Sequence, residues 1–284
     1  MNKNVIISNP NEFKKTIKAI TKEGLKKSYI LSDFDRTLTY AFVNNEKIPS
    51  LISILRDGKY LTTDYSKKAH ALFNKYHPIE INPNMPLPKK KRIMNQWWTK
   101  HFNLLIKSGL NKKDVKKVIQ SNKIILRDGA LEFFDILHNH NIPLIILSST
   151  GLGTDSISLY LQKHKTLFNN MHIISNKFIW DKNGNAIDFK KPIIHSANKG
   201  TTTIKDFPNI YKKIKNRKNI ILLGDNLDDI EMIKNFDYCY LIKIGFLNEK
   251  IEENLEIYKK KYDVVLLNNS SMIYVKNLLN KIIN

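Results

Sequence analysis

Ile30-Leu31-Ser32-Asp33-Phe34-Asp35-Arg36-Thr37-Leu38-Thr39 is the stretch on which the reading of this chain turns. An apolar run gives way to two carboxylates two residues apart, with the hydroxyl of Thr37 close behind. Residues 29–31 read as the end of a buried strand. Alternation along an extended chain points Asp33 and Asp35 the same way. Two carboxylates converging at a strand's carboxyl end suit a hard divalent cation. One can attack phosphorus while its neighbour handles the leaving-group proton. The alternative is a surface turn with two solvated acids, and the rest of the chain has to decide between them.

At 284 residues the chain can bury a full core and carry one large domain with a smaller one inserted. Apolar residues make up 42% and aromatics 10%, the balance of a globular protein. The start, Met1-Asn2-Lys3-Asn4, is polar, and no apolar run approaches a membrane span, so neither a secretory signal nor a membrane partner is expected. Cys239 is the one cysteine, read here as a small core filler, which excludes an internal disulfide and fits a cytoplasmic location.

The formal charge of +21 would attract nucleic acid or any phosphorylated ligand. Yet the basic residues are scattered, and Lys89-Lys90-Lys91-Arg92 is the one compact run. No nucleic-acid-binding motif accompanies them. The joint abundance of Lys, Asn and Ile looks like a compositional bias, so a nucleic-acid partner is not expected, nor an obligate protein partner.

Apolar positions at Phe13, Ile17 and Ile20 predict an opening amphipathic helix over 11–22. The strand carrying the paired aspartates follows as the first strand. Residues 45–122 then read as helical, without a convincing strand pair. Helices are expected over 66–76 and 92–108, separated by a break at Pro78, Pro83, Pro86 and Pro88, and another starts at Asn111-Lys112-Lys113-Asp114. From Ile124 onward, helices (130–138, 156–163) alternate with apolar strands (143–147, 220–223, 238–244, 263–267). Asn183-Gly184 marks a hairpin between strands at 172–180 and 185–189. The expectation is α/β: a doubly wound parallel-sheet, Rossmann-like hydrolase core over 1–44 and 123–284, with a helical cap at 45–122 inserted after the first core strand.

Three strand ends then supply polar groups: Asp33 and Asp35, Ser148 and Ser149, and Asp225. Open α/β sheets bind ligands at such ends. Asp229 lies one helical turn beyond Asp225, with Asp228 as its rival for a supporting role.

Asp-x-Asp-x-Thr, then a strand ending in Ser, then Lys199, then Gly224-Asp225-Asn226-Leu227-Asp228-Asp229, in that order, resembles the haloacid dehalogenase phosphohydrolase superfamily. The resemblance implies Asp33 as nucleophile through an aspartyl-phosphate and Asp35 as general acid, then base. It implies Thr37 and Lys199 at the phosphate, and Mg²⁺ held by Asp33, the main-chain carbonyl of Asp35 and Asp225.

A narrower likeness rests on Asp33-Phe34-Asp35-x-Thr37-Leu38-Thr39, Tyr76-x-x-Ile79-Glu80-x-x-Pro83, Ser149-x-Gly151-Leu152-Gly153, Asn198-Lys199 and Ile242-Lys243-Ile244-Gly245-Phe246-Leu247-Asn248. Together these resemble the cytosolic 5′-nucleotidase III (pyrimidine 5′-nucleotidase) family from about residue 10 onward. The likeness implies Mg²⁺-dependent hydrolysis of nucleoside 5′-monophosphates, pyrimidines preferred, with 7-methylguanosine monophosphate taken by some members. It implies that Glu80 contacts the base's amino group and that Trp98, with Trp97 beside it, lines the base pocket. It puts the phosphate-binding serine at Ser149, with Ser148 as rival. His101 departs from the family's small polar residue, and 50–57 matches poorly. The competing functions are phosphatase action on another small phosphomonoester, or a basic nucleic-acid-binding protein on a retired hydrolase core.

Overall fold

Short, continuously apolar runs become buried strands, and a computed structural model of the chain, describing residues 3–82, 84–201, 204–234 and 236–283, places them in one sheet. The chain opens with β1 (Val5–Ile7), α1 (Pro10–Glu23) and β2 (Ser28–Ser32). Helix α1 starts where the Asn9 side chain accepts from the Glu12 amide and Pro10 takes the first turn, and it buries Phe13, Ile17 and Ile20. A short ribbon of β3 (Phe42–Val43) and β4 (Glu46–Lys47) follows.

Four helices come next: α2 (Leu51–Asp57), α3 (Tyr65–Glu80), α4 (Leu87–Lys107) and α5 (Lys112–Gln120). Asn111 and Asp114 form a reciprocal capping box at the start of α5. The chain then runs α6 (Ala130–Asn139), β5 (Leu144–Leu147), α7 (Gly153–Lys163), β6 (Met171–Ile174), β7 (Phe178–Trp180) and β8 (Ala186–Phe189). It closes with α8 (Pro208–Ile214), β9 (Asn219–Gly224), β10 (Tyr240–Leu247), α9 (Ile251–Lys261), β11 (Val264–Leu267) and α10 (Ile273–Ile283).

The main sheet has the order β1-β11-β10-β9-β2-β5-β6, parallel throughout except for β1, which runs antiparallel to β11 at one edge. From β2 the chain builds outward through β5 and β6, then returns to build β9, β10 and β11 on the other side. The reversal falls beside β2, and a crevice opens at such a point at the strands' carboxyl ends. Register sets the depth: Ser32 pairs with Leu223 of β9 and Ile146 of β5, so Asp33 emerges level with the ends of both neighbours. One large apolar cluster joins Phe34, Leu38 and the α6 and α7 faces to Leu51, Ile54, Leu55, Phe102 and Leu105 of the inserted helices. Among the described residues no helix is long and apolar enough to cross a membrane.

Several sequence expectations need correction. The strand carrying the aspartates is the second, because β1 precedes it at the sheet edge. The strand expected over 172–180 is two: β6 belongs to the main sheet and β7 pairs with β8. Buried Asn176 breaks it, its side chain donating to the Thr150 and Ile194 carbonyls and accepting from the Ile194 amide. Helix α3 passes through Pro78 to Glu80 rather than stopping before it. So close to the helix end, the missing amide forfeits one hydrogen bond. Pro83, of the same expected break and of the likeness motif, lies outside the described residues. Cys239 is exposed, since the buried run begins only after it, within β10.

Candidate active site

Asp33 follows β2 directly, its amide donating to the Leu223 carbonyl at 3.0 Å, and its side chain is buried. Lys199, on a 3₁₀ segment over Ser196–Thr201, is buried too and donates to Asp33 Oδ1 at 2.6 Å and Asp229 Oδ1 at 2.8 Å. Asp229 reaches back over the end of β9, and its Oδ2 accepts from the amides of Asp225 (3.1 Å) and Asn226 (3.0 Å). That fold-back requires Gly224, where a Cβ would sit 2.5 Å from the Cβ of Asp229. The Asp225 carbonyl accepts from the Tyr258 hydroxyl at 2.6 Å, and the Thr37 hydroxyl lies 3.4 Å from Asp225 Oδ1.

Ligand oxygens of Asp33, Asp225 and Asp229 all fall within 4.8 Å of one another. Three acids thus face one ammonium. Burial, then crowding by Asp229 and Asp225, pushes the Asp33 carboxyl well above its ordinary value against the pull of Lys199. Burial and Asp229 push Asp225 up to about 7. For Lys199 burial works downward, but Asp229 and Asp33 outweigh it and hold the ammonium charged. Excess buried carboxylate of this kind fits a divalent cation. Both oxygens of Asp229 already accept hydrogen bonds, which leaves Asp33 and Asp225 as the better donors.

Asp35 is half-buried, and burial raises its carboxyl above the ordinary range against Arg36 and Lys199. It lies in the wall of a cavity of about 500 Å³ that also takes in Ser149, Glu80, Trp97, Trp98 and His101. Asp33, Asp225 and Lys199 are not part of that wall. Ser148 is fully buried and its hydroxyl accepts from the Thr150 amide, whereas Ser149 reaches the cavity. Asp228 is half-buried and stands outside the Asp33–Asp225–Asp229 cluster.

The helices α2, α3 and α4 supply the far wall. Glu80 Oε1 accepts from the Ser196 hydroxyl at 2.8 Å, and its Oε2 lies 3.2 Å from His77 Nδ1. Trp97 stacks on Tyr76, and Trp98 meets His101 edge-on with ring centroids 5.6 Å apart. Gly151 makes this closeness possible: a Cβ there would lie 2.8 Å from the Trp98 ring and 2.9 Å from Ile52. Buried His101 is held neutral, burial bringing its pKa down to about 4. Its Nε2, the Trp98 Nε1 and the Thr150 hydroxyl lack partners among the described residues. Sequence reasoning missed Ser196 and Thr150. Their positions beside Lys199 and Ser149 were the available signal.

A parallel sheet with its acids at the switch point and a helical insert over them is the fold of haloacid dehalogenase-like hydrolases. Solved phosphoserine phosphatase shares the fold at TM-score 0.51 and 18% identity, covering 88% of this chain and 96% of that one. Cytosolic 5′-nucleotidase IIIB bound to cytidine superposes with TM-score 0.89 at 28% identity, over 99% of this chain and 94% of that one. Residues 36–283 match the pyrimidine 5′-nucleotidase (UMPH-1) family. The chain is 34% identical to the 7-methylguanosine phosphate-specific 5′-nucleotidase of Rattus norvegicus and 33% to that of Homo sapiens, over 100% of this chain and 94% of each relative. The chain belongs to the pyrimidine 5′-nucleotidase (UMPH-1) family and is a 5′-nucleotidase, a phosphoric monoester hydrolase.

Proposed function

We propose that the protein hydrolyses nucleoside 5′-monophosphates in a Mg²⁺-dependent reaction through an aspartyl-phosphate on Asp33. The observation that carries this reading is the buried Asp33–Lys199–Asp229 arrangement, two residues from Asp35 in the wall of a cavity that Glu80 and Trp98 also line. Residues 45–122 act as a cap that reads the base, and 1–44 with 123–284 form the core that reads the phosphate.

An Asp33 oxygen forms a bond to phosphorus as the P–O5′ bond breaks. The electron pair leaves on O5′, which takes the proton held by Asp35. Burial, which raises Asp35, favours the protonated form this step needs. Water then attacks phosphorus, Asp35 takes one of its protons, and the P–O bond to Asp33 breaks to release phosphate. Lys199 neutralises the nucleophile's neighbourhood, and Thr37 and Ser149 donate to the phosphoryl oxygens. Asp33 and Asp225, with the Asp35 carbonyl, would hold Mg²⁺, which supplies positive charge against the phosphoryl oxygens.

Glu80 accepts from an amino group of the base, and Trp98 stacks on the ring. Pyrimidine monophosphates are the first reading. The names of the relatives favour a second, 7-methylguanosine 5′-monophosphate, whose cationic ring an acid and a tryptophan also suit. Phosphate release at fixed Mg²⁺ from cytidine, uridine and 7-methylguanosine monophosphates, phosphoserine and a sugar phosphate decides. The nucleotides should lead by an order of magnitude or more in kcat/KM. Equal rates on phosphoserine would overturn the nucleotidase specificity proposed for this cavity.

A further inference from the structure

Arg127 is 1% exposed, and its bonded acceptors are carbonyl and amide oxygens rather than carboxylates. Nε donates to the Thr37 carbonyl at 2.8 Å, Nη1 to the Ser270 carbonyl, and Nη2 to both the Arg36 carbonyl and Asn248 Oδ1, the last at 2.7 Å. The guanidinium also lies 4.3 Å from the centre of the Phe246 ring. Burying an ion is costly unless its donors are bonded; Asp225 pulls on this one through space, and the groups that bond it are neutral. Here two of the acceptors lie on one short stretch, the turn that follows Asp35.

That turn is unusual. Arg36 has φ of 60°, the left-handed region that side chains with a Cβ rarely adopt. Its carbonyl is gripped from two sides, by Arg127 Nη2 and by Asn248 Nδ2 at 3.2 Å, while its amide donates to the Thr39 hydroxyl at 2.9 Å. The Arg127 amide donates to the Leu38 carbonyl at 3.0 Å, closing the loop onto the same residue. The left-handed turn sets the direction in which the chain leaves Asp35, and a flat fork of donors fixes two successive carbonyls as a lysine cannot.

We propose that Arg127, assisted by Asn248, is the positioning residue for the acid/base carboxyl of Asp35, which it aims by locking the left-handed turn at Arg36. The proposal rests on the reading of Asp35 as the proton donor. A misaimed acid harms the departure of an alkoxide, which needs a proton, and spares that of a nitrophenolate, which leaves without one. A fault in folding or in Asp33 harms both.

The test measures kcat/KM at saturating Mg²⁺ for cytidine 5′-monophosphate and for p-nitrophenyl phosphate, in wild type, Arg127→Lys, Asn248→Ala and Asp35→Asn. That ratio reports the first step, before the common hydrolysis of the aspartyl-phosphate. Arg127→Lys should lose roughly 100-fold on the nucleotide, the scale of a misplaced catalytic group, and far less on the aryl ester. Asn248→Ala, which keeps the guanidinium, should shift the same ratio in the same direction by less, and it stands as the test if Arg127→Lys does not fold. Equal losses on both esters in these variants, with Asp35→Asn still selective, would overturn the positioning role. If Asp35→Asn itself fell equally on both, the acid assignment would fail first and the proposal with it.

Discussion

Asp33, Asp225 and Asp229 crowd around one ammonium, and that crowding should be readable in stability. Asp225 is raised to about 7 from an ordinary value of 3.8, and Asp33 moves the same way. A raised acid binds more protons folded than unfolded, so its contribution is fullest below the unfolded pKa and is lost as pH rises through the folded one. For the metal-free protein we therefore expect the contribution of Asp225, read as the Tm of wild type minus that of Asp225→Asn, to fall as pH climbs from about 4 to about 7; buried His101, His172 and His195, lowered to about 4, act oppositely in both proteins and cancel in the difference. Saturating Mg²⁺ should restore Tm most at the high end, where the acids are ionised and bind it best. Thermal melts in EDTA and in Mg²⁺ across that range check this. A difference that stayed flat or rose up to pH 7, with no Mg²⁺ effect above it, would remove Asp225 from the proposed metal site. At this scale the sequence was legible for Asp33, Asp35 and Asp225, whose residue types mark strand ends. It was nearly silent for Lys199, one lysine among many on a 3₁₀ segment, until long-range packing brought it to Asp33.

Among the elements, α3 and α4 carry the side chains that face the cavity opposite the strand ends. Glu80 stands at the last residue of α3, which is why the helix's passage through Pro78 matters. Trp98 leans on Gly151, so the proposed base wall and the Ser149 loop are mechanically joined. Stacking on Trp98 should be worth roughly 1–3 kcal/mol, and a charge-assisted bond to Glu80 roughly 1.5–3 kcal/mol. Trp98→Ala and Glu80→Gln should lower kcat/KM for the preferred nucleotide accordingly, while a small aryl phosphate is nearly unaffected. Parallel losses on both would return these residues to a packing role. Strongly apolar strands such as β5 and β9 could be read directly from their runs. The edge strand β1 has three half-buried residues and too little pattern to announce itself. The split between β6 and β7 depends on Asn176 bonding a carbonyl eighteen residues away, which no local pattern encodes.

For the molecule as a whole, the parallel sheet brings three separated segments to one edge, and the inserted helices close the space above them into a cavity of about 500 Å³. The charge of +21 is spread over this frame and favours the approach of a phosphate dianion without specifying it. On the function proposed above, what specifies the chemistry is a covalent step at Asp33. The most direct measurement is Mg²⁺-dependent phosphate release from cytidine 5′-monophosphate by wild type and by Asp33→Asn at matched folding. An amide neither attacks phosphorus nor holds the metal as a carboxylate does. The account predicts robust release by wild type, abolished by EDTA and lowered by several orders of magnitude in Asp33→Asn. Near-normal turnover by Asp33→Asn would contradict it.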